Sequence, residues 1–303
     1  MKVLVTGAKG QLASDLISFL RENDIEIIPY GKDTLDITLL NEAIQISKRA
    51  KPHIIINCAA YTDVDGCETH KDLAYKVNAM GAKNMAISAR KVECKLVHIS
   101  TDYVFDGNRG FKHPWDKEHR IPEPYMEWDS PNPQSIYGHS KWVGETLVRE
   151  QCPNHFIIRT AWLYGASGQN FVKTILGKSK SPQRDEPVYI VDDQFGTPTW
   201  TRDLARQILK LMVTETFGTY HATSQGFCTW YEFAQEIIKV SGMNLEIVSC
   251  TTEDYPTKAR RPKNSVLDNW MLRCQGLDFM PDWRQSFHKF WDKHGTHLEG
   301  LTR

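Results

Sequence analysis

The stretch Lys2-Val3-Leu4-Val5-Thr6-Gly7-Ala8-Lys9-Gly10-Gln11-Leu12-Ala13 decides the fold class. Its β-branched run ends at a glycine-rich turn, which leads directly into a helical pattern over 11–22. Gly7 permits the tight turn, Gly10 lets a pyrophosphate approach the backbone, and Ala13 allows the helix to pack closely on the strand. The N–H groups at the helix start add hydrogen-bond donors and a favourable dipole. Glycine turns also occur for structural reasons alone, but the position after a strand favours a dinucleotide-binding turn.

Outward from this turn, short β-branched runs alternate with longer helical patterns. The predicted strands of the first half are Lys2–Thr6, Ile25–Tyr30, His53–Cys58 and Lys95–Ile99, and the predicted helices cover 11–22, 38–50 and 71–91. In the second half we predict strands at Phe156–Thr160, Val188–Val191 and Glu246–Ser249, and helices near 137–150, 201–213 and 229–241. Such alternation indicates a parallel sheet covered on both faces. The sequence therefore predicts an α/β fold: a Rossmann-type doubly wound parallel sheet with a smaller interleaved α/β domain.

The composition is that of a globular protein and argues against several kinds of partner. The 303 residues carry 37 Lys+Arg and 37 Asp+Glu, so the formal net charge is zero. Nucleic acids and anionic membrane surfaces usually require a basic excess, so we expect neither as a partner. The seven cysteines form no CxxC pair, which favours a reducing, cytoplasmic location. We also expect a soluble, unexported chain, because the start has no signal-peptide pattern and no apolar run approaches the roughly 18 residues of a membrane-spanning helix.

The end of the second strand bears on the choice of dinucleotide. The acidic residue that binds an adenosine ribose 2′-hydroxyl is expected roughly 20 residues after the glycines. Here that stretch is Pro29-Tyr30-Gly31-Lys32-Asp33, and no carboxylate closes the strand itself. Lys32 could bind a 2′-phosphate, whereas Asp33 could bind a hydroxyl. We predict NADPH as the cofactor, with NADH also usable; the alternative is that both charges are solvated loop residues.

Two polar segments carry the predicted chemistry: Ser100-Thr101-Asp102-Tyr103 after the fourth strand, and Tyr137-Gly138-His139-Ser140-Lys141 at a helix start. The spacing places Tyr137 and Lys141 on one helix face, about 5–6 Å apart at Cβ. The ammonium is expected to lower the phenol pKa from about 10 toward neutrality. Tyr137 would then protonate a carbonyl oxygen that Thr101 polarises, and Lys141 would also hold the cofactor ribose. Because this spacing alone arises by chance, the prediction depends on its combination with the strand-end residues and the glycine turn.

These segments together resemble the extended short-chain dehydrogenases/reductases and, within them, the dTDP-4-dehydrorhamnose reductase family. The resemblance covers nearly the whole chain, in the segments GAKGQLA (7–13), LDIT (35–38), NCAAYTDVDGCE (57–68), VNAMG (77–81), STDYVFDG (100–107), YGHSK (137–141), RTAWLYG (159–165), DDQFGTPT (192–199), YHATSQGFCTWYEFA (220–234) and RPKNSVLD (261–268). It implies NAD(P)H-dependent reduction of the 4-keto group of dTDP-4-dehydro-6-deoxy-L-mannose to dTDP-L-rhamnose, in polysaccharide biosynthesis. We accordingly assign 1–165 and about 186–221 to an NAD(P)-binding domain, and about 166–185 and 222–303 to a sugar-nucleotide domain.

The resemblance also implies roles for individual positions. Besides Gly7 and Lys32, which stand on the arguments above, the expected cofactor-binding residues are Gly10, Gln11, Leu12, Asp36, Ile37, Ala59, Ala60, Tyr61, Tyr137 and Lys141. The implied catalytic residues are Tyr137, Lys141 and Thr101. The implied substrate-binding residues are Thr101, Asp102, Tyr103, Trp162, Asn170, Arg261 and Asn264. Arg261 suits a diphosphate because a guanidinium makes bidentate contacts with phosphate.

Aromatic residues of the second half offer stacking area for a sugar nucleotide. Trp162, Phe171 and Trp200 are the candidates. Trp200 and Trp230 are nevertheless expected in the core rather than at a ligand. His221 is likewise expected to be a hydrogen-bonded core residue and not a catalyst.

Two features depart from the family pattern. The loop 111–130 is roughly ten residues longer than usual, and its three Pro and two Trp suggest order, so we expect a lid or wall over the sugar. Some family members are dimers organised around magnesium bound by glutamate. This chain has Asp15 in the corresponding helix, so we expect no metal. A monomer and a homodimer both remain open.

Three other functions remain as alternatives. A sugar-nucleotide epimerase or dehydratase is disfavoured, because dehydratases usually carry Asp-Glu where this chain has Asp102-Tyr103. A non-enzymatic module like the regulatory subunit of methionine adenosyltransferase shares the fold, but the intact Thr101, Tyr137 and Lys141 and the presence of Trp162 favour a reductase. A reductase of a related 4-keto-6-deoxysugar nucleotide is not excluded by the sequence.

Overall fold

A computed structural model describes residues 1–112, 120–179 and 186–301, and their side chains up to Leu298. The strands are β1 (Lys2–Thr6), β2 (Glu26–Tyr30), β3 (Ile54–Asn57), β4 (Lys95–Thr101), β5 (His155–Thr160), β6 (Leu163–Tyr164), β7 (Val188–Val191), β8 (Phe195–Gly196), β9 (Thr199–Trp200), β10 (Gly218–His221), β11 (Cys228–Thr229) and β12 (Ile247–Cys250). The helices are α1 (Gln11–Glu22), α2 (Leu40–Ala50), α3 (Val64–Thr69), α4 (Lys71–Tyr75), α5 (Ala82–Lys91), α6 (Ile136–Gln151), α7 (Phe171–Lys178), α8 (Thr201–Met212), α9 (Trp230–Ser241), α10 (Trp270–Cys274) and α11 (Trp283–Leu301).

The central sheet has six strands in the order β2-β1-β3-β4-β5-β10, and all neighbours are parallel. The chain leaves β1 toward β2 on one side and then returns to β3 on the other, so the winding direction reverses between β1 and β3. Ligands of doubly wound sheets bind in the crevice outside this reversal. Gly7 and Ala59 lie there, one after each strand: a Cβ on Gly7 would come within 2.9 Å of the Ala59 backbone. The predicted doubly wound parallel sheet is confirmed.

Helices cover both faces of this sheet, as the alternation of side chains along the strands requires. Val3 and Val5 face a cluster with α1 and α8, whereas Leu4 faces the opposite cluster with α2, α5 and α6. Helix α1 contributes Leu16 and Leu20, which lie four residues apart on one face. The strands thus form near-continuous apolar runs that are buried on both sides.

A third apolar cluster belongs to the second half of the chain and lies around α7, α9 and α11. Phe287 and Phe290 of α11 pack against Phe233 and Tyr164 there. One assignment from the sequence is corrected: Val188–Val191, placed with the nucleotide-binding domain, pairs instead with β12 in a separate two-stranded parallel sheet. The remaining domain boundaries stay a prediction.

The helical pattern predicted over 71–91 contains a feature that periodicity does not show. Between α4 and α5, residues Lys76–Gly81 form a π-helical segment, so the helical course is continuous but locally widened. Helix α11 was not predicted. No helix in the described ranges is both long and apolar enough to cross a membrane.

Candidate active site

A cavity of about 1450 Å³ lies at the carboxyl ends of the central strands. It is lined by the residues that follow β1, β2 and β3, by the end of β4, and by the first turns of α6 and α7. Every site residue named from the sequence lines this cavity except Asn264. The structure therefore brings both sets of predicted residues, cofactor-binding and catalytic, into one space.

The glycine turn fits the pyrophosphate of a dinucleotide. Gly7 has φ 65°, a left-handed conformation that favours glycine, and its carbonyl accepts the Gly10 N–H at 2.8 Å. Gly10 is the N-cap of α1, but no side chain caps the helix and its first turn carries no acidic residue. The first N–H groups of α1 thus remain available to an anion, and the positive end of the helix dipole faces the cavity.

The residues predicted to bind the adenosine part of the cofactor are Asp36, Ile37 and Lys32. Asp36 and Ile37 line the cavity, and Ile37 is held against Gly81 of the π-helical segment, where a Cβ would lie 2.5 Å from it. Lys32 is exposed at the cavity edge. Asp33, the alternative partner for a ribose hydroxyl, accepts a 2.5 Å hydrogen bond from Lys9. Lys32 therefore remains the cation suited to a 2′-phosphate.

The strand-end segment Ala59-Ala60-Tyr61 is fixed by Asn78, which we did not predict as a site residue. The Asn78 side chain accepts the Tyr61 N–H at 2.8 Å and donates to the Tyr61 carbonyl at 3.1 Å. It also donates to Ser140 Oγ of α6 at 3.0 Å. Asn78 is buried in the π-helical segment, a feature that frequently marks functional sites. Residue periodicity gives no signal for such a segment.

Tyr137 and Lys141 occupy the first turns of α6, which Ser135 caps by accepting the Gly138 N–H. Lys141 is 2% exposed and donates a 2.6 Å hydrogen bond to the Ile99 carbonyl. Burial lowers the pKa of Lys141 to about 8, although Glu145 raises it in part.

The predicted near-neutral titration of Tyr137 is wrong for the ligand-free site. Burial of its hydroxyl raises the pKa of Tyr137 above the usual value, and a hydrogen bond with Thr101 offsets this only in part. The Lys141 ammonium bonds to a backbone carbonyl and not to the phenol. Tyr137 thus holds its proton at neutral pH, the state that a proton donor requires.

A buried ion network under Lys141 also escaped the sequence interpretation. Glu145, one turn further along α6, accepts hydrogen bonds from Arg159 at 2.9 and 2.8 Å and from Ser100 Oγ at 2.6 Å. Arg149 adds a further bond of 2.7 Å to the same carboxylate. Burial raises the pKa of Glu145, but the two arginines outweigh this and hold that pKa at about 2. The network ties α6 to the end of β4, where Thr101 follows Ser100.

Thr101 and Asp102 form a pair at the end of β4. The Thr101 hydroxyl donates to Asp102 Oδ1 at 2.9 Å and accepts the Tyr103 N–H at 3.2 Å. Asp102 Oδ2 is buried without a hydrogen-bond partner among the described residues, and burial raises the pKa of Asp102 to about 6. To polarise a substrate carbonyl, the Thr101 hydroxyl must give up its hydrogen bond to Asp102 and donate to the substrate instead. The role of Thr101 in polarising the carbonyl therefore stays a prediction.

An aromatic wall closes the far side of the cavity. Trp162 stacks on Trp230 with ring centroids 3.5 Å apart, and Phe171 lies 4.6 Å from Trp230. Trp162 has φ 46°, a conformation rare for a bulky residue. Trp230 packs against the third apolar cluster, as expected, and also lines the cavity. Trp200 is buried against Phe290, so it is in the core as expected and offers no stacking area to a ligand.

The residues expected at the nucleotide part of the substrate differ in position. Arg261 lines the cavity, and so does Asn170, which caps α7 and donates to Gln11 Oε1 at 2.8 Å. Asn264 is 3% exposed, donates to the Arg109 and Glu123 carbonyls, and accepts the Val266 N–H. Its amide is fully used in holding loops together. The prediction that Asn264 binds substrate is therefore corrected to a structural role.

The long loop 111–130 is only partly described. Residues 113–119 lie outside the described part, so the lid prediction remains open for them. Residues 120–130 do not line the cavity; they pair with 111–112 and with the segment near Leu267. The Glu127 carboxylate accepts hydrogen bonds from the His221 and Met271 N–H groups, and the Glu127 carbonyl accepts one from Arg159. The described part of this loop therefore holds neighbouring segments together and does not form a wall of the cavity.

Two further expectations concern residues away from the cavity. His221 is buried and hydrogen-bonded, and burial lowers its pKa to about 3, so it is a core residue as predicted. The Asp15 carboxylate accepts a hydrogen bond from Thr201. The expectation that this chain binds no metal remains untested.

A doubly wound sheet, a glycine turn at its reversal and a Tyr–Lys pair one helical turn apart define the class of the protein: an extended short-chain dehydrogenase/reductase. The family model described as "RmlD substrate binding domain" matches residues 1–295. The chain belongs to the dTDP-4-dehydrorhamnose reductase family. The predicted family membership is confirmed.

Curated relatives and solved structures agree with this assignment. Relatives include the spore coat polysaccharide biosynthesis protein SpsK of Bacillus subtilis (38% identical; 95% of this chain, 96% of the relative). Others are dTDP-4-dehydrorhamnose reductase of Aggregatibacter actinomycetemcomitans (38%; 94% and 96%) and dTDP-4-keto-6-deoxy-D-glucose reductase of Streptomyces niveus (36%; 92% and 93%).

Two crystal structures of dTDP-4-dehydrorhamnose reductases superpose closely. That from Clostridium acetobutylicum is 44% identical with a TM-score of 0.90, over 97% of this chain and all of the other. That from Bacillus anthracis, in complex with NADP, is 42% identical with a TM-score of 0.89, over 96% and 99%. UDP-glucose 4-epimerase of Thermus thermophilus, at 18% identity and a TM-score of 0.80, shares the fold alone.

Proposed function

We propose that this protein reduces the 4-keto group of dTDP-4-dehydro-6-deoxy-L-mannose with NADPH, giving dTDP-L-rhamnose for polysaccharide biosynthesis. The observation that carries the proposal is the single cavity in which the uncapped start of α1 and the pair Tyr137 and Lys141 meet an aromatic wall. The family membership and the relatives named dTDP-4-dehydrorhamnose reductase support it. The NADP complex of the Bacillus anthracis relative supports the choice of cofactor.

The chain offers a binding residue for each part of the cofactor. Gly7, Gly10, Gln11 and Leu12 surround the space expected to hold the pyrophosphate, and Lys32 suits a 2′-phosphate. Asp36 and Ile37 line the adenosine end, Ala59, Ala60 and Tyr61 line the middle, and Lys141 would bind the ribose. When bound, a reduced nicotinamide dinucleotide supplies hydride.

Proton transfer falls to Tyr137. Reduction of a carbonyl places negative charge on its oxygen, and an alkoxide is a far stronger base than a phenolate, so Tyr137 can give up its proton even with a raised pKa. As the phenolate forms, the neighbouring Lys141 ammonium stabilises it more strongly than it stabilises the neutral phenol. Glu145, in turn, keeps Lys141 protonated by raising its pKa. Thr101 would orient the same carbonyl.

The substrate is expected to span the rest of the cavity. Trp162 would pack against the deoxysugar, with Asp102 and Tyr103 near its hydroxyl groups. Arg261 would bind the diphosphate. Asn170, at the start of α7, would contact the nucleotide part. We place the enzyme in the cytoplasm, because its seven cysteines form no CxxC pair, and expect a monomer or a homodimer.

A direct assay tests the proposal. Purified protein is supplied with NADPH and dTDP-4-dehydro-6-deoxy-L-mannose, loss of absorbance is followed, and the sugar product is identified. We expect dTDP-L-rhamnose. Product formed only from dTDP-4-keto-6-deoxy-D-glucose would favour the related-reductase alternative, which the Streptomyces niveus relative keeps open. A folded protein without turnover on either sugar would favour a non-enzymatic regulatory module.

A further inference from the structure

Asp65 of α3 bridges two walls of the cavity mouth. Its Oδ2 accepts a 2.6 Å hydrogen bond from a terminal nitrogen of Arg261, and its Oδ1 accepts the Ala259 N–H at 2.8 Å. Both Asp65 and Arg261 line the cavity, with side chains 39% and 20% exposed. One carboxylate thus uses each of its oxygens on the same short segment, which comes from the other end of the chain.

The bond to Asp65 leaves Arg261 with donors to spare. The second terminal nitrogen of Arg261 donates to the Tyr103 hydroxyl at 3.4 Å, and the Tyr103 ring lies edge-on to Tyr137 with centroids 5.5 Å apart. A guanidinium carries five N–H donors, so these two contacts leave three for a ligand. The Asp65 carboxylate therefore fixes the plane of the Arg261 guanidinium and still leaves three of its N–H donors for a ligand.

The two ends of the Arg261 segment are held in different ways. On the C-terminal side, Pro262 packs directly on Gly107, where a Cβ would lie 2.5 Å from the proline Cβ, and the Asn264 N–H donates to the Gly107 carbonyl at 3.2 Å. On the N-terminal side, Asp65 holds the Ala259 amide. Packing against Gly107 thus fixes the C-terminal end of the segment. The N-terminal end is held by the Asp65 side chain, which a substitution can remove.

We propose that Asp65 is a positioning residue that orients Arg261 for the diphosphate of the sugar nucleotide. This inference rests on the proposed function, because that function supplies the diphosphate. Asp65 does not touch Tyr137 or Lys141 through any described contact, so its effect falls on binding and not on the chemical step. The opposite arrangement, in which Asp65 blocks Arg261 until phosphate displaces it, predicts tighter binding when the carboxylate is removed.

The test uses the full chain and three variants. Asp65→Ala removes both contacts, Asp65→Asn keeps an oxygen that can accept the Ala259 N–H, and Asp72→Asn removes an exposed carboxylate of α4 as a control. Calorimetry with thymidine diphosphate measures substrate-side binding, and a separate titration with NADPH measures cofactor binding. Thermal unfolding reports whether each variant is folded.

We expect Asp65→Ala to weaken thymidine diphosphate binding about three- to tenfold, Asp65→Asn to fall between it and wild type, and Asp72→Asn to match wild type. NADPH binding should be unchanged in all three. In turnover assays, KM for the keto sugar should rise by a similar factor in Asp65→Ala, while kcat changes less than about twofold.

Several results would overturn the inference. Equal or tighter thymidine diphosphate binding by Asp65→Ala would contradict it while leaving the proposed function intact. A fall in kcat at constant KM would assign Asp65 to the chemical step instead. Absence of thymidine diphosphate binding by the wild type would contradict the proposed function as well as this inference.

Discussion

Lys141 is a charged group buried without a carboxylate in direct contact, so Lys141→Met should stabilise the ligand-free protein while abolishing turnover. Its pKa lies at about 8, against an ordinary 10.5, because burial disfavours the ammonium. At about 1.4 kcal/mol per pKa unit, this difference costs the folded state about 3 kcal/mol at pH 7. Losing the charge-assisted hydrogen bond to the Ile99 carbonyl costs about 2 kcal/mol. The expected net gain is about 1 kcal/mol of unfolding free energy.

The stability difference between Lys141→Met and wild type should depend on pH. Since the folded-state pKa is the lower one, the unfolded chain binds more protons between pH 8 and pH 10.5, and wild-type stability rises with pH across that interval. The penalty is complete below pH 8 and is lost as the pH passes the unfolded value. Lys141→Met should therefore exceed wild type in stability most strongly at pH 7, and less as the pH approaches 10.

Denaturant unfolding at pH 7 and pH 9.5 measures the effect in wild type and variant. Lys91→Met, which replaces an exposed lysine of α5, is the matched control and should show no comparable gain. A Lys141→Met variant that is less stable than wild type at pH 7 would contradict the burial penalty. A stability difference that is the same at both pH values would contradict it as well.

Three other changes probe separate parts of the cavity. Gly7→Ala places a Cβ 2.9 Å from the Ala59 backbone at φ 65°, so NADPH binding should weaken about tenfold or more while thymidine diphosphate binding is kept; unchanged titration with NADPH would contradict the fit of the turn. Gly196→Ala puts a Cβ 2.2 Å from the Trp162 indole, so KM for the keto sugar should rise and tryptophan fluorescence should shift, and an unaltered KM would remove Trp162 from the substrate wall. Lys32→Ala should lower affinity for NADPH about fivefold and leave that for NADH unchanged; an equal ratio of the two affinities before and after would exclude Lys32 as the 2′-phosphate partner.

The fold of the first half followed from local sequence because strand, turn and helix signals agreed there. Val3 and Val5 on one face and Leu4 on the other are read directly from the pattern of a strand buried on both sides. In the second half the signals were weaker. Strands such as Phe195–Gly196 are two residues long, and tertiary contacts alone fix them. Helix α11 did carry a signal, since Trp283, Phe287 and Phe290 recur at helical spacing.

The parts of the site that consist of sequence motifs were predictable. The parts that depend on contacts between residues distant in the sequence were not. The cavity collects the glycine turn and the residues around Tyr137 as predicted. Asn264 was misplaced because a motif does not show that the asparagine amide is used up by loop carbonyls. The predicted pKa of Tyr137 was wrong because the sequence spacing shows only that Tyr137 and Lys141 share a helix face. It does not show that the Lys141 ammonium bonds to the Ile99 carbonyl.

We propose above all that Tyr137 donates the proton in an NADPH-dependent reduction of a 4-keto sugar nucleotide. Tyr137→Phe tests it most directly, with Tyr75→Phe, a phenol that bonds to His139 outside the cavity, as the control. Turnover of dTDP-4-dehydro-6-deoxy-L-mannose is measured together with NADPH binding. We expect Tyr137→Phe to lose about 10²–10⁴-fold in kcat and to bind NADPH as wild type does, while Tyr75→Phe keeps its activity. Turnover by Tyr137→Phe near the wild-type rate would contradict it.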